Sequence, residues 1–157
     1  MTTLRDQVRE FHGMLGVLDP SSPQLISEAR VRLRAALVAE EFFETMEAMF
    51  DDVMFRPVGN VKGTLAVAKD HVAMFIKYGT VNVNMVELAD GMADLDYVVE
   101  GTRLEFGIDG EPIAAEVHRT NMTKRGGPVR EDGKHTKPEG WKPPDIEGEL
   151  RKQGWKG

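Results

Sequence analysis

The sequence predicts an all-α fold, a helical bundle of about five helices followed by an irregular C-terminal tail, and three observations carry that prediction. Apolar residues recur at three- and four-residue spacing through most of the first 124 positions, the period of a helix with one buried face. Clusters of glycine and proline fall between those periodic stretches, and no stretch alternates convincingly as a strand would. At 157 residues the chain is large enough for one core without staples, so it divides into a helical domain over 1–124 and a Gly/Pro-rich tail over 125–157.

Thr2 or Thr3 caps a first helix reaching about Gly13 or Gly16, with Leu4, Val8, Phe11 and Leu15 on one face. The run from Asp19 to Pro23 breaks it. A long second helix starts near Ser22 or Pro23 and runs to about Asp52, because Ile26, Ala29, Leu33, Ala36, Leu37, Phe43 and Ala48 keep the period without an interior Gly or Pro. The segment from Arg56 to Asn60 ends that run. A third helix, about Thr64 to Tyr78, carries Leu65, Ala68, Val72, Phe75 and Ile76, and Gly79 supplies its stop. Asn82 or Asn84 caps a fourth, about Val83 to Phe106, whose Met85, Val86, Leu88, Met92, Ala93, Leu95, Val98 and Val99 cover more than half its circumference and place it centrally. Gly107 to Gly110 forms a turn into a fifth helix, with Pro112 in its first turn and its end near Lys124. Beyond Arg125 the glycines, prolines and charges leave no period. Two long helices with broad apolar surface, in a chain short of helices to cover them, predict a homodimer in which the second copy completes a four-helix core.

Composition narrows the chemistry. With no cysteine, disulfides, iron–sulfur clusters and thiolate zinc sites are excluded, and any metal is held by oxygen or imidazole. His12, His71, His118 and His135 show no metal-ligand spacing and read as surface or packing residues. Arg5, Asp6, Arg9 and Glu10 rule out a hydrophobic signal sequence, and no later run is apolar enough to span a bilayer, so the expectation is a cytoplasmic protein with no membrane partner. A net charge of −6 argues against a nucleic-acid partner, since that binding neutralises phosphates with lysine and arginine. Residues 1–124 hold 12 Lys/Arg against 20 Asp/Glu and residues 125–157 hold 8 against 6, an acidic body with a mildly basic tail.

The acids fall where a helix would place apolar side chains. At about 100° per residue, Glu41 lies about 40° from Leu37 and Glu44 about 20° to its other side, so both continue the stripe of Leu33 and Leu37, with Glu40 at its edge. On the fourth helix Asp90 lies about 40° from Val86, with Glu87 and Asp94 further round the same border. Acids at i and i+3 have neighbouring Cβ atoms and reach one small cation or bracket two. Inside a protein such a cluster needs a cation, because desolvation and like-charge repulsion both oppose it. Magnesium suits all-oxygen ligation, manganese also, and either retains water that serves as a nucleophile. A solvated face is the ordinary fate of such residues, and Glu47, Asp51, Asp52 and Asp96 read that way. Asp94 stays open between the metal shell and a neighbouring hydrogen bond.

Glu-Glu-Phe-Phe-Glu at 40–44 and Glu-Leu-Ala-Asp at 87–90, each on a long helix of an all-α chain, resemble the signature of the MazG-like all-α nucleoside triphosphate pyrophosphohydrolases, a superfamily that includes phosphoribosyl-ATP pyrophosphohydrolases and dimeric dUTPases. The segments from Glu116 to Lys124 and from Asp132 to Asp145 resemble the C-terminal region of small single-domain members, and the likeness covers most of the chain from about residue 30. The resemblance implies hydrolysis of a nucleoside triphosphate to the monophosphate and pyrophosphate, a homodimer, Mg2+ held by Glu41, Glu44, Glu87 and Asp90, and Glu40 acting on the attacking water. On resemblance alone the substrate is a deoxypyrimidine triphosphate such as dUTP or dCTP.

Triphosphate also needs cationic and hydrogen-bonding partners. Asn121 and Lys124, three apart on the fifth helix, offer an amide for a base or sugar edge and an ammonium for phosphate; a solvated helix end is the plain alternative. Lys134 and Lys137 in the tail suit a lid over bound phosphates, or mere solubility. Trp141 either stacks on a base or anchors the tail.

Three other classes compete. A ferritin-like di-iron bundle relies on Glu-x-x-His pairs, and none occurs here. A non-catalytic nucleotide or metal sensor keeps the ligands without turnover, and a structural helical module would lose nothing on Glu41→Gln and Asp90→Asn. Phosphoribosyl-ATP pyrophosphohydrolase-like activity is the alternative within the superfamily.

Overall fold

The computed structural model describes residues 2–51, 65–125, 127–131 and 133–157. It is all-α: α1 (Leu4–Met14), α2 (Glu28–Glu47), α3 (Leu65–Tyr78), α4 (Met85–Glu105), α5 (Gly110–Met122) and α6 (Ile146–Lys152), with two-residue strands β1 (Phe50–Asp51) and β2 (Thr80–Val81) paired antiparallel.

Local chemistry sets most helix starts. Thr3 accepts a hydrogen bond from the Asp6 amide while the Asp6 carboxylate accepts from the Thr3 amide, a reciprocal cap contributing about 1 kcal/mol to α1. Asn84 Oδ1 accepts from the amides of Val86 and Glu87 at the start of α4, and Asp109 caps α5. Gly107 sits at φ +69 between those two helices, where a Cβ would run into the Ser22 carbonyl.

The second helix is shorter than its periodicity suggests at both ends. Its start moves from Ser22 or Pro23 to Glu28 because the Gln24 amide donates to the Phe106 carbonyl at 3.0 Å, a tertiary bond that periodicity does not encode. Its end moves from Asp52 to Glu47 because Phe50 and Asp51 pair with Val81 and Thr80. The expected break at Arg56 to Asn60 lies outside the described residues. The tail also holds more order than its composition suggests. A bridge joins Val129 to His135, and Asp145, following Pro143 and Pro144, caps the seven-residue α6, too short to show a period.

Contacts group the chain into two compact units, residues 1–28 with 100–157 and residues 29–99. In the first, Val8 and Leu104 are fully buried, each contributing roughly 2 kcal/mol of apolar transfer. Buried Glu100 accepts from Arg5 at 2.7 Å and Arg103 at 2.9 Å. The tail docks on α5 through Glu116, which accepts from the Asp145 amide at 2.9 Å, and through Gln153, which exchanges hydrogen bonds with the Asp109 backbone.

In the second unit Met46 and Ala48 are buried, and Phe50 packs edge-on against Phe75 of α3 with centroids 5.2 Å apart. Two expected apolar faces are corrected. Of Leu4, Val8, Phe11 and Leu15 only Val8 is buried, and on α4 Met85, Val86 and Met92 are exposed, Val86 by 79 %. Periodicity marks surface that gains by being covered, and the single chain does not cover it there.

Candidate functional site

Within the second unit α2 and the adjoining stretch of α4 run antiparallel. At one end Arg34 donates to the Val98 carbonyl at 2.8 Å; at the other, the Asn84 and Asn82 amides donate to the Ala48 and Met49 carbonyls at 2.8 and 3.1 Å. Between these ties the helices approach closely at Gly91. A Cβ there would lie 3.1 Å from Thr45 Oγ1 and 3.2 Å from Thr45 Cα, so the crossing depends on glycine. Thr45 turns its hydroxyl back to the Glu41 carbonyl at 2.7 Å, which satisfies it within its own helix.

This crossing brings the two acidic motifs into range of each other. Glu41 and Glu44 lie one turn or less before Thr45, and Asp90 adjoins Gly91. Glu41 is half-buried, and its Oε2 is buried with no hydrogen-bond partner among the described residues. Its carboxyl is pushed above the usual range, first by burial and then by the negative charge of Glu44, Asp94, Glu40 and Asp90, acids from both helices. Glu40, Glu44, Asp90 and Asp94 are exposed, and no lysine or arginine pairs with them among the described residues. An orphaned buried carboxylate oxygen facing further carboxylates fits a hard divalent cation, the one partner that satisfies oxygen donors and cancels their repulsion together. Among the described residues no three acids are drawn into a closed ligand set. Glu87 lies in the first turn of α4, one turn before Asp90 on the same helix.

Asp94, open in sequence between two roles, lies within electrostatic range of Glu41. Gly91 and Thr45 shape the site without belonging to either acidic motif; the sequence signal for them is a glycine inside an apolar helical stretch, next to an acid, which marks close backbone approach.

In the first unit four of the five expected substrate contacts gather in one place. Lys124 lies past the end of α5 rather than on it, yet its Nζ still donates to Asn121 Oδ1 at 2.7 Å. Trp141 is half-buried, its Nε1 donating to the Thr120 carbonyl at 3.4 Å, with Lys137 Nζ 4.2 Å and Lys124 Nζ 5.8 Å from its ring centroid. Both roles offered for Trp141 thus meet an indole already bound on its edge and beside its ring. Lys134 adjoins the Val129–His135 bridge, its carbonyl accepting from the Arg130 amide at 2.9 Å. None of the described helices is long and apolar enough to cross a membrane.

Residues 8–121 match the family described as Phosphoribosyl-ATP pyrophosphohydrolase, a span that includes both acidic motifs and Asn121 and stops short of the tail. No curated protein sequence matches the chain.

Proposed function

The chain belongs to the phosphoribosyl-ATP pyrophosphohydrolase family, in the MazG-like all-α superfamily, and is therefore a nucleotide pyrophosphohydrolase acting on phosphoanhydride bonds; from that premise we propose that it converts a nucleoside triphosphate and water to the monophosphate and pyrophosphate with Mg2+ or Mn2+. The observation that carries the metal requirement is the orphaned Glu41 Oε2 among carboxylates from two helices. Glu41, Glu44, Glu87 and Asp90 hold the cation, whose chemistry when bound is to neutralise the triphosphate and the departing pyrophosphate. Glu40, next to Glu41 and exposed, orients the attacking water and accepts its proton. Asn121, Lys124, Lys134 and Lys137 contact the substrate.

A deoxypyrimidine triphosphate, dUTP or dCTP, is the preferred substrate, supported by the likeness of the Glu116–Lys124 and Asp132–Asp145 segments to small single-domain members. The family match favours a second reading, phosphoribosyl-ATP. The working form is a cytoplasmic homodimer; the exposed Met85, Val86 and Met92 of α4 and Leu33 of α2 support a second copy as their cover. The deciding experiment is pyrophosphate release across the ordinary and deaminated nucleoside triphosphates and phosphoribosyl-ATP, with Mg2+, Mn2+ and chelator. Metal-dependent release from one of these is expected, and none from any of them would overturn the reading. Light scattering showing only monomer would remove the dimer.

A further inference from the structure

Most cations that the first unit holds in place are already matched by acids. Arg5 and Arg103 bind Glu100, Arg9 binds Asp19, Arg119 binds Glu116, Arg151 binds Glu147 and Lys152 binds Glu149, with distances from 2.6 to 2.9 Å. Lys124 and Lys137 differ. Each is held in position, but by an indole and a neutral amide: Lys137 over Trp141, Lys124 near the same ring and bonded to Asn121 Oδ1. Neither has a carboxylate partner among the described residues. A ring quadrupole orients an ammonium without neutralising it, so two ammonium groups share one aromatic with no carboxylate counter-ion among the described residues. Trp141 is half-buried and its Nε1 points to the Thr120 carbonyl at 3.4 Å, a long hydrogen bond, so the pair is presented on a partly tethered platform rather than on two free side chains.

We propose that Lys124 and Lys137, positioned by the Trp141 indole, form a polyphosphate-binding site that works without metal, and that Trp141 is a positioning residue for these ammonium groups rather than a platform for the base. The choice of polyphosphate over other anions rests on the pyrophosphohydrolase reading; the site's existence rests on the unmatched charges. An ammonium is a compact point charge suited to phosphate oxygen, and two of them near one ring favour a ligand with several charged oxygens over a single carboxylate. Its lack of a metal requirement distinguishes what these lysines contribute from what the acids of the second unit contribute, since those repel polyphosphate until a cation is bound.

The test is calorimetric titration of the full chain with inorganic tripolyphosphate in EDTA, alongside a nucleoside triphosphate and the bare nucleoside. Saturable tripolyphosphate binding is expected, weakening with salt and falling about tenfold in the Lys124→Met, Lys137→Met double variant. Trp141→Ala, with both lysines still present, should weaken it severalfold and Trp141→Phe should restore part of the loss; circular dichroism checks that each variant is folded. Unchanged tripolyphosphate affinity in the lysine double variant overturns the site. A Trp141→Phe variant that alters discrimination between bases while binding tripolyphosphate normally overturns the positioning role. Turnover plays no part in these readings. A chain that binds tripolyphosphate in EDTA yet releases pyrophosphate from no substrate would keep this site and lose the proposed reaction, and the reverse result would do the opposite.

Discussion

Glu116 in the first unit and Glu41 in the second are both glutamates on helices, and their surroundings drive them in opposite directions. Glu116 accepts two hydrogen bonds from Arg119, at 2.7 and 2.8 Å, and one from the Asp145 amide. The Arg119 bonds, with the Asp145 amide second, hold its carboxyl down at about 2. Glu41 has a buried oxygen with no partner, and burial with four neighbouring acids raises it. The same contrast separates Glu100, clasped by two arginines, from Glu44, Asp90 and Asp94, which face like charge. A carboxylate with its guanidinium is finished as structure, whereas a group of carboxylates still needing a cation has capacity left for chemistry.

The contrast breaks most easily at the acids. Glu41→Gln or Asp90→Asn should cut metal-dependent turnover by about 100-fold and abolish the upward thermal shift on adding Mg2+. In chelator the Glu41→Gln variant should melt at the same temperature as wild type or higher, because a costly buried charge is gone. A variant keeping full turnover would place the reaction elsewhere.

The next largest effect concerns the scaffold. Leu104→Ala empties a fully buried position of the first unit and should cost about 2–5 kcal/mol in denaturant unfolding, while the metal-induced thermal shift persists. Gly91→Val presses a branched side chain onto Thr45 at the helix crossing and should cost about 1–3 kcal/mol, lowering turnover with it because the acids on the two helices are forced apart. Loss of stability without loss of turnover would show that the acids do not depend on this crossing.

The smallest effect tests the finished carboxylate. Because the folded Glu116 carboxyl lies below its unfolded value of 4.5, it stabilises the fold above that pH, and the contribution fades as pH falls through about 2. Thermal melts between pH 5 and 2, a window set by that shift, should show Glu116→Gln flattening part of the acid-side decline. An unaltered profile would mean that the tail does not rely on this anchor.

Much of this was legible in the residues themselves. Helical periodicity gave the class and the order of the helices, the pairs Thr2/Thr3 and Asn82/Asn84 contained the caps of α1 and α4, and the i, i+3 spacing of the acids identified both motifs, because all of these are properties of a short stretch of backbone. Spacing on one helix cannot say what another helix brings to it. Tertiary structure decided that Glu41 comes within electrostatic range of Asp90 and Asp94 across a Gly91–Thr45 crossing. It decided also that Trp141 gathers two lysines, that α2 yields its ends to the Phe106 carbonyl and a strand pair, and that Met85 and Val86 stay exposed. Each of these depends on the distance between groups far apart in the chain, and electrostatics and burial follow that distance rather than sequence separation.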